Sequence, residues 1–277
     1  MREGWAALFS AIFCSALLIG QAAGDDSVRA ERQGAAECRV VAGIAATVTA
    51  ILDGRTLRLA DGTELRLAGL ESLADAGTAA AAETAAILAK TALQDLVRGK
   101  TITVQGMGDD RYGRRVALAA ISGVPKDRPL QTRVIGQGHA VVSTRIGHPG
   151  CARQFLAAER SARAARLGLW ADPHYLIQEA NRLDTLTGVR GRFALVEGKV
   201  LSVNDRGATV YVNFGRRWSE DFTVTIAKRN LRSFTAAGLE PQTLAGRLVR
   251  VRGWVDERGG PWIEVSRPEQ IEFADRN

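Results

Sequence analysis

Arginines and carboxylates are interleaved along LDGRTLRLADGTELRLAGLES, Leu52 to Ser72, and again in DDRYGR, Asp109 to Arg114. A guanidinium presents a planar fork of donors that meets two phosphate oxygens at once. Carboxylates supply the oxygen ligands that a hard cation such as Ca²⁺ requires. Together they suit phosphodiester chemistry, in which a metal polarises phosphate and activates water, cations stabilise the transition state, and a base takes a proton. Each residue also has a purely structural reading. Arg66 alternates with Leu65 and Leu67 as a solvated strand residue would. Tyr112 and Arg114 could serve the geometry of their turn. His139, His148 and His174 show no metal-ligand spacing and read as surface or hydrogen-bonded histidines.

The elements that would position these side chains follow from the texture of the chain. The β-type runs VVAGIAATVTAIL, TLRLA and ELRLAGL are separated by DGRT and ADGT, and Asp-Gly between apolar runs is a strong hairpin signal. An alanine-rich helix follows, AAAAETAAILAKTALQDLVRGK, with Gly99 as its stop. TITVQGM and RVALAAIS read as strands, LQTRVIGQGHAVV as helix then strand, and CARQFLAAERSARAARLGLW as a second long helix. This order predicts a five-stranded OB-fold barrel carrying helices over residues 40–173. Residues 174–191 lack alternation and are expected to be a linker. Residues 192–277 carry five or six further strands with one inserted helix, predicting a second small β-barrel, OB-like, with a sandwich as the alternative. The expected class is mainly β with helices (α+β). Within YVNFGRRWSEDF, Tyr211, Phe214, Trp218 and Phe222 flank Arg216 and Arg217. Such a set either stacks bases in a single-strand binder or fills a barrel core.

A net charge of +7 favours acidic partners such as nucleic acid, phospholipid or cell-wall polymers. With 46% hydrophobic and 24% charged residues, the composition is that of a globular protein. Arg2, the apolar run from Trp5 to Gly20 and the small residues QAAG predict a signal peptide over residues 1–23, followed by a flexible leader over 24–39. The apolar run falls short of the roughly 20 residues that span a bilayer. An exported protein, periplasmic or secreted, is the expectation. Beyond Cys14, the chain keeps Cys38 and Cys151. Two cysteines far apart in an exported chain are candidates for a disulfide joining the first strand region to the last helix of the first domain, two free thiols being the alternative.

Four segments, in order, resemble the staphylococcal nuclease (thermonuclease) family over residues 40–173. AILDGRTLRL is similar to its strand-turn-strand with an Asp-Gly-Asp-Thr turn, and LRLAGLESLAD to its Arg-Leu-x-Gly-Ile-Asp-x-Pro-Glu segment. DDRYGR is similar to its Asp-x-Tyr-Gly-Arg motif, and AAERSARAARLGLW to its closing helix. The resemblance implies phosphate-binding roles for Arg66 and Arg114, supported by Asp110 and Tyr112, and Ca²⁺ as cofactor. It also places Arg55 on the first metal aspartate, Glu71 on the second, Ser72 on a carbonyl ligand, Leu73 on a proline and Ala74 on the catalytic glutamate. Asp53 and Asp75 stand nearby as substitutes. The C-terminal segment resembles the extension of proteobacterial thermonuclease-like proteins. Three functions follow: a nucleic-acid or polyanion binding module with a degraded calcium site, an active nuclease using Glu71, Asp53 or Asp75 in a rearranged site, and an envelope interaction or scaffold protein.

Overall fold

The computed structural model describes residues 38–41, 43–71, 79–125, 128–144, 146, 148–171, 177–217 and 220–274. The expected signal peptide, nearly all of the expected leader, and Ser72, Leu73, Ala74, Asp75, His174 and Trp218 lie outside the described residues. As expected, the fold is α+β, with a closed five-stranded barrel followed by a second sheet.

Strands β1 (Ile44–Asp53), β2 (Thr56–Leu59) and β3 (Glu64–Leu67) form a meander. Period-two alternation turns Leu57, Leu59, Leu65 and Leu67 into the barrel and leaves Arg58 and Arg66 on its outer side. The β1–β2 turn needs Gly54, because a Cβ there would lie 2.6 Å from the Ala89 Cβ on helix α1 (Ala79–Val97). Strand β4 (Leu70–Glu71) precedes that helix, and β5 (Thr101–Asp109) and β6 (Arg115–Ile121) follow it. The barrel order is β1-β2-β3-β6-β5, with β3 and β6 parallel and β1 closing on β5. Helix α2 (Leu130–Gly136) leads to strand β7 (Val141–Val142), which pairs antiparallel with β4. Helix α3 (Pro149–Ala164) starts with Pro149 in its first turn and with the His148 Nδ1 accepting from the Cys151 amide. Cys38 and Cys151 form a disulfide across 113 residues of sequence.

Within the segment expected to be a linker, the described residues 177–191 carry regular elements. They contribute strand β8 (Ile177–Glu179) and helix α4 (Leu183–Gly188), whose Leu186 is buried in the second core. Ala180 and Leu186, spaced through IQEANRLDTL, reach that core without any run long enough to stand out in sequence. Strands β9 (Phe193–Lys199), β10 (Ser202–Arg206), β11 (Thr209–Asn213) and β12 (Thr223–Ala227) come next. After helix α5 (Leu231–Ala236) come β13 (Leu248–Arg258), β14 (Gly260–Val265) and β15 (Ile271–Phe273). The sheet runs β10-β11-β12-β14-β13-β9-β8, with β15 paired to β13. Strands β9 and β10 are halves of one bent segment broken only at Val200 and Leu201, so the path returns to the segment on which it began. With β12 and β14 parallel, its order matches that of the first barrel. Phe222 lies in the second core with Phe214 packed against it, ring centroids 5.0 Å apart, so these aromatics fill the interior.

The two barrels belong to one compact unit. Val141, Ala162, Trp170, Phe193 and Leu195 form an apolar cluster contributed by both. Beside it Arg252 of β13 is fully buried and makes a two-pronged pair with Glu159 of α3, both contacts at 2.9 Å. Arg252 also pairs with Glu272 of β15, and Arg163 joins Glu272 at 2.9 Å and Glu159 at 3.2 Å. Burial alone would push the Glu272 carboxyl up from 4.5, but the guanidiniums of Arg252 and Arg163 overcome it and hold it at about 2. A depressed carboxylate contributes stability above its unfolded value and loses it as pH falls through its folded value.

Two stability predictions follow from these contacts. Between pH 4.5 and 2, urea unfolding of the unmodified protein should lose about 3 kcal/mol more than that of Glu272→Gln. Removing the disulfide by Cys38→Ala/Cys151→Ala should lower the unfolding free energy by about 4–5 kcal/mol, read from the same urea curves at neutral pH.

Candidate anion site

Backbone hydrogen bonds bring the arginines of the first barrel together. The Asp53 Oδ1 accepts from the Arg55 amide at 2.8 Å, and the Arg55 carbonyl accepts from the Leu67 amide at 2.8 Å. The β1–β2 turn is thereby tied to the end of β3, next to Arg66. Asp53 caps this turn with that oxygen, an Asx-type contact that favours Asp at such positions.

Glu71 sits at the centre. It is only 8% exposed, and β4 holds its backbone opposite Val141. The Arg55 Nη1 donates to the Glu71 Oε2, and the Arg66 Nη2 donates to the Glu71 Oε1 at 3.2 Å. Each carboxylate oxygen therefore faces its own guanidinium. Burial and the neighbouring charge of Arg55 lower the pKa of Arg66, with Arg114 adding to the effect and Glu71 and Asp110 opposing it. That electrostatic reach places the Asp110–Arg114 pair in the same field.

The second motif is built as a self-capped turn. The Asp110 Oδ1 accepts from the amides of Tyr112 at 2.9 Å and Arg114 at 3.1 Å. Its Oδ2 accepts from the Arg114 Nε at 2.8 Å and pairs with Nη2 at 2.7 Å. Gly113, at φ 76°, supplies the left-handed residue that the turn demands. Tyr112 is exposed, with the guanidiniums of Arg111 and Arg114 at 4.8 and 5.2 Å from its ring centroid. The turn-shaping reading of Tyr112 and Arg114 holds: their amides close the turn on Asp110, which also fixes the direction of the Arg114 guanidinium.

Three arginines share this region with two carboxylates, and the side chains of Arg55, Arg66 and Arg114 remain 24%, 20% and 21% exposed. That exposure leaves donor edges open to a solute. A calcium ion fits poorly. Its ligands should be several unengaged oxygens, whereas both Glu71 oxygens are taken by guanidiniums whose charge repels a dication. Among the described residues, no group of three or more His, Cys, Asp or Glu side chains could hold a metal ion. Ala74 and Asp75 lie outside the described residues, so the position of the family's catalytic glutamate is not part of this geometry.

Sequence reasoning did not single out the junction set Arg163, Glu159, Arg252 and Glu272, of which Glu159 and Arg252 are fully buried. In RVRGWV the arginines alternate with inward valines, as solvated residues do, and nothing local reveals that another barrel covers that face.

Residues 64–172 match the family model described as staphylococcal nuclease homologue. A comparison with curated proteins gives no match. The matched span contains Arg66, Glu71, Asp110, Tyr112 and Arg114 and starts after Arg55. The span begins at the first residue of β3, leaving β1 and β2 outside it, and runs through the short 3₁₀ turn Gly168–Ala171. Residues 64–172 thus form a staphylococcal nuclease homologue domain.

Proposed function

We propose that the protein binds the phosphates of nucleic acid through Arg55, Arg66 and Arg114 without a resident Ca²⁺, and that calcium-dependent phosphodiester hydrolysis is lost or severely attenuated. The observation that carries this reading is the double salt bridge on Glu71. The carboxylate that would ligate a metal is occupied, and one occupant is the arginine standing at the family's first metal aspartate. A guanidinium can hold a phosphate but cannot lower the pKa of a bound water as a metal does. We propose further that the protein works outside the cytoplasm, in the periplasm or secreted. The signal-like N-terminal sequence and the Cys38–Cys151 disulfide support an oxidising compartment.

The decisive experiment titrates the purified protein with labelled single-stranded DNA and RNA over a salt series, in EDTA and in CaCl₂. Binding should be equal in both and should fall with salt at a log–log slope of about −2, as three neutralised phosphates of a single strand imply. Arg66→Ala and Arg114→Ala should each flatten that slope by about 0.7. Calcium-dependent cleavage that disappears in Arg66→Ala/Arg114→Ala would sink the proposal.

Arg55→Asp provides the converse test. It removes one cation from Glu71 and adds a second carboxylate beside it. Calorimetry should detect Ca²⁺ uptake by the variant and none by the unmodified protein, while oligonucleotide binding in EDTA should weaken about tenfold with the loss of one charge-assisted contact.

A further inference from the structure

The strand that carries Glu71 is held by a partner only two residues long. Antiparallel pairing of Leu70–Glu71 with Val141–Val142 is extended by a single hydrogen bond from the Ser143 amide to the Gly69 carbonyl, at 3.0 Å. So short a ladder depends on what flanks it. The other edge of β7 faces the junction between barrels. There the Val142 amide donates to the Glu159 Oε2 at 2.7 Å, and the Arg252 Nη1 donates to the Val142 carbonyl at 3.1 Å. Glu159 and Arg252 are bonded to each other through both prongs, and neither side chain has any exposure. Arg252 is further fixed by Glu272, and the Arg252 carbonyl accepts from the Gln270 Nε2 at 3.1 Å.

One backbone unit, Val142, therefore has both its polar groups satisfied by an ion pair, and half of that pair comes from the second barrel. A buried N–H and C=O that lost these partners would bear an uncompensated desolvation cost. We infer that Arg252 is a positioning residue for the anion site. It clamps the outer edge of β7, β7 fixes β4, and β4 holds Glu71 between Arg55 and Arg66. The second barrel is then a structural component of the first barrel's site, joined to it through a chain of named hydrogen bonds and not through proximity alone. This inference rests on the proposed anion-binding role of that site.

The test uses the full chain carrying Arg252→Met or Arg252→Lys. Methionine fills the space without charge. Lysine keeps a charge for Glu159 and Glu272 but cannot bond both and the Val142 carbonyl in one plane, so it serves where the methionine variant fails to fold. Two quantities are read: amide hydrogen exchange at Ser143, with the first-barrel amide of Leu59 as internal reference, and the dissociation constant for inorganic pyrophosphate by calorimetry. Exchange at Ser143 should accelerate about tenfold relative to Leu59, and the pyrophosphate Kd should rise about three- to tenfold, the range expected when one buried hydrogen bond is lost. Unchanged Ser143 exchange in the folded variants overturns the inference, even where the Kd shifts, because the effect would then be long-range charge. A lost ladder with unchanged Kd overturns it too, since Glu71 would not depend on β7. If the unmodified protein fails to bind pyrophosphate while Ser143 responds as expected, the anion reading falls and the hold of Arg252 on β4 stands.

Discussion

A carboxylate stripped of most of its water costs several kcal/mol unless cations and donors replace that water. Glu71 meets this condition with two guanidiniums, one on each oxygen. Much of the first barrel's outer architecture can be understood from that constraint. Arg55 reaches Glu71 because Asp53 caps its amide and Leu67 anchors its carbonyl, and because Gly54 lets α1 pack closely over the turn. Arg66 reaches it from the outer side of a strand whose leucines are committed to the core. The geometry of the site is thus set by backbone contacts, and the arginines are held before any ligand arrives. Preorganisation of this kind lowers the entropy lost on binding an anion.

The second barrel repeats the strand order of the first, including the parallel pair that follows from an inserted helix. The two are nevertheless joined differently from independent modules on a flexible linker. An apolar cluster and a four-membered ion network centred on the buried Arg252–Glu159 pair span them. A buried ion pair is weak evidence for stability, since well-packed apolar residues often serve as well. Its distinctive property is directional: Arg252 and Glu159 satisfy each other only in one relative placement, and both reach Val142 only in that placement. Apolar packing alone would tolerate small slips that this network does not.

How far the sequence disclosed all this depends on the range of the interactions. The hairpins, the alternating leucines and the self-capped DDRYGR turn are local, and short patterns such as TLRL and ELRL announce them. The Cys38–Cys151 bridge was accessible through cysteine arithmetic, although 113 residues separate its ends. Strand β8 and helix α4 were missed because three-residue and six-residue elements carry too little periodicity to separate from a linker. Arg55 could be placed on a metal-ligand position by resemblance, but its direction could not. Sequence left open whether it faced solvent or Glu71, since both are sterically allowed for a long flexible side chain at a turn. Arg252 was invisible for a stronger reason. Its alternation with Val249 and Val251 marks it as outward-facing, which it is, and only tertiary assembly turns that outward face into an interior.

Charge accounting clarifies what the arginine at position 55 does to a site of this family. One carboxylate and one bound dication sum to a single positive charge, which Arg55 carries by itself. On the proposed reading, the phosphate-facing field survives the exchange, supplied by a group that needs no free metal and is insensitive to chelation. On the same reading the polarised water is lost, because a guanidinium has no open coordination position at which to bind one. Binding and hydrolysis, which a metal couples, are separable on that reading. Glu71 is the counter-charge that keeps Arg55 and Arg66 close together despite their mutual repulsion. Without it two guanidiniums would repel each other, and with it each is held on its own carboxylate oxygen.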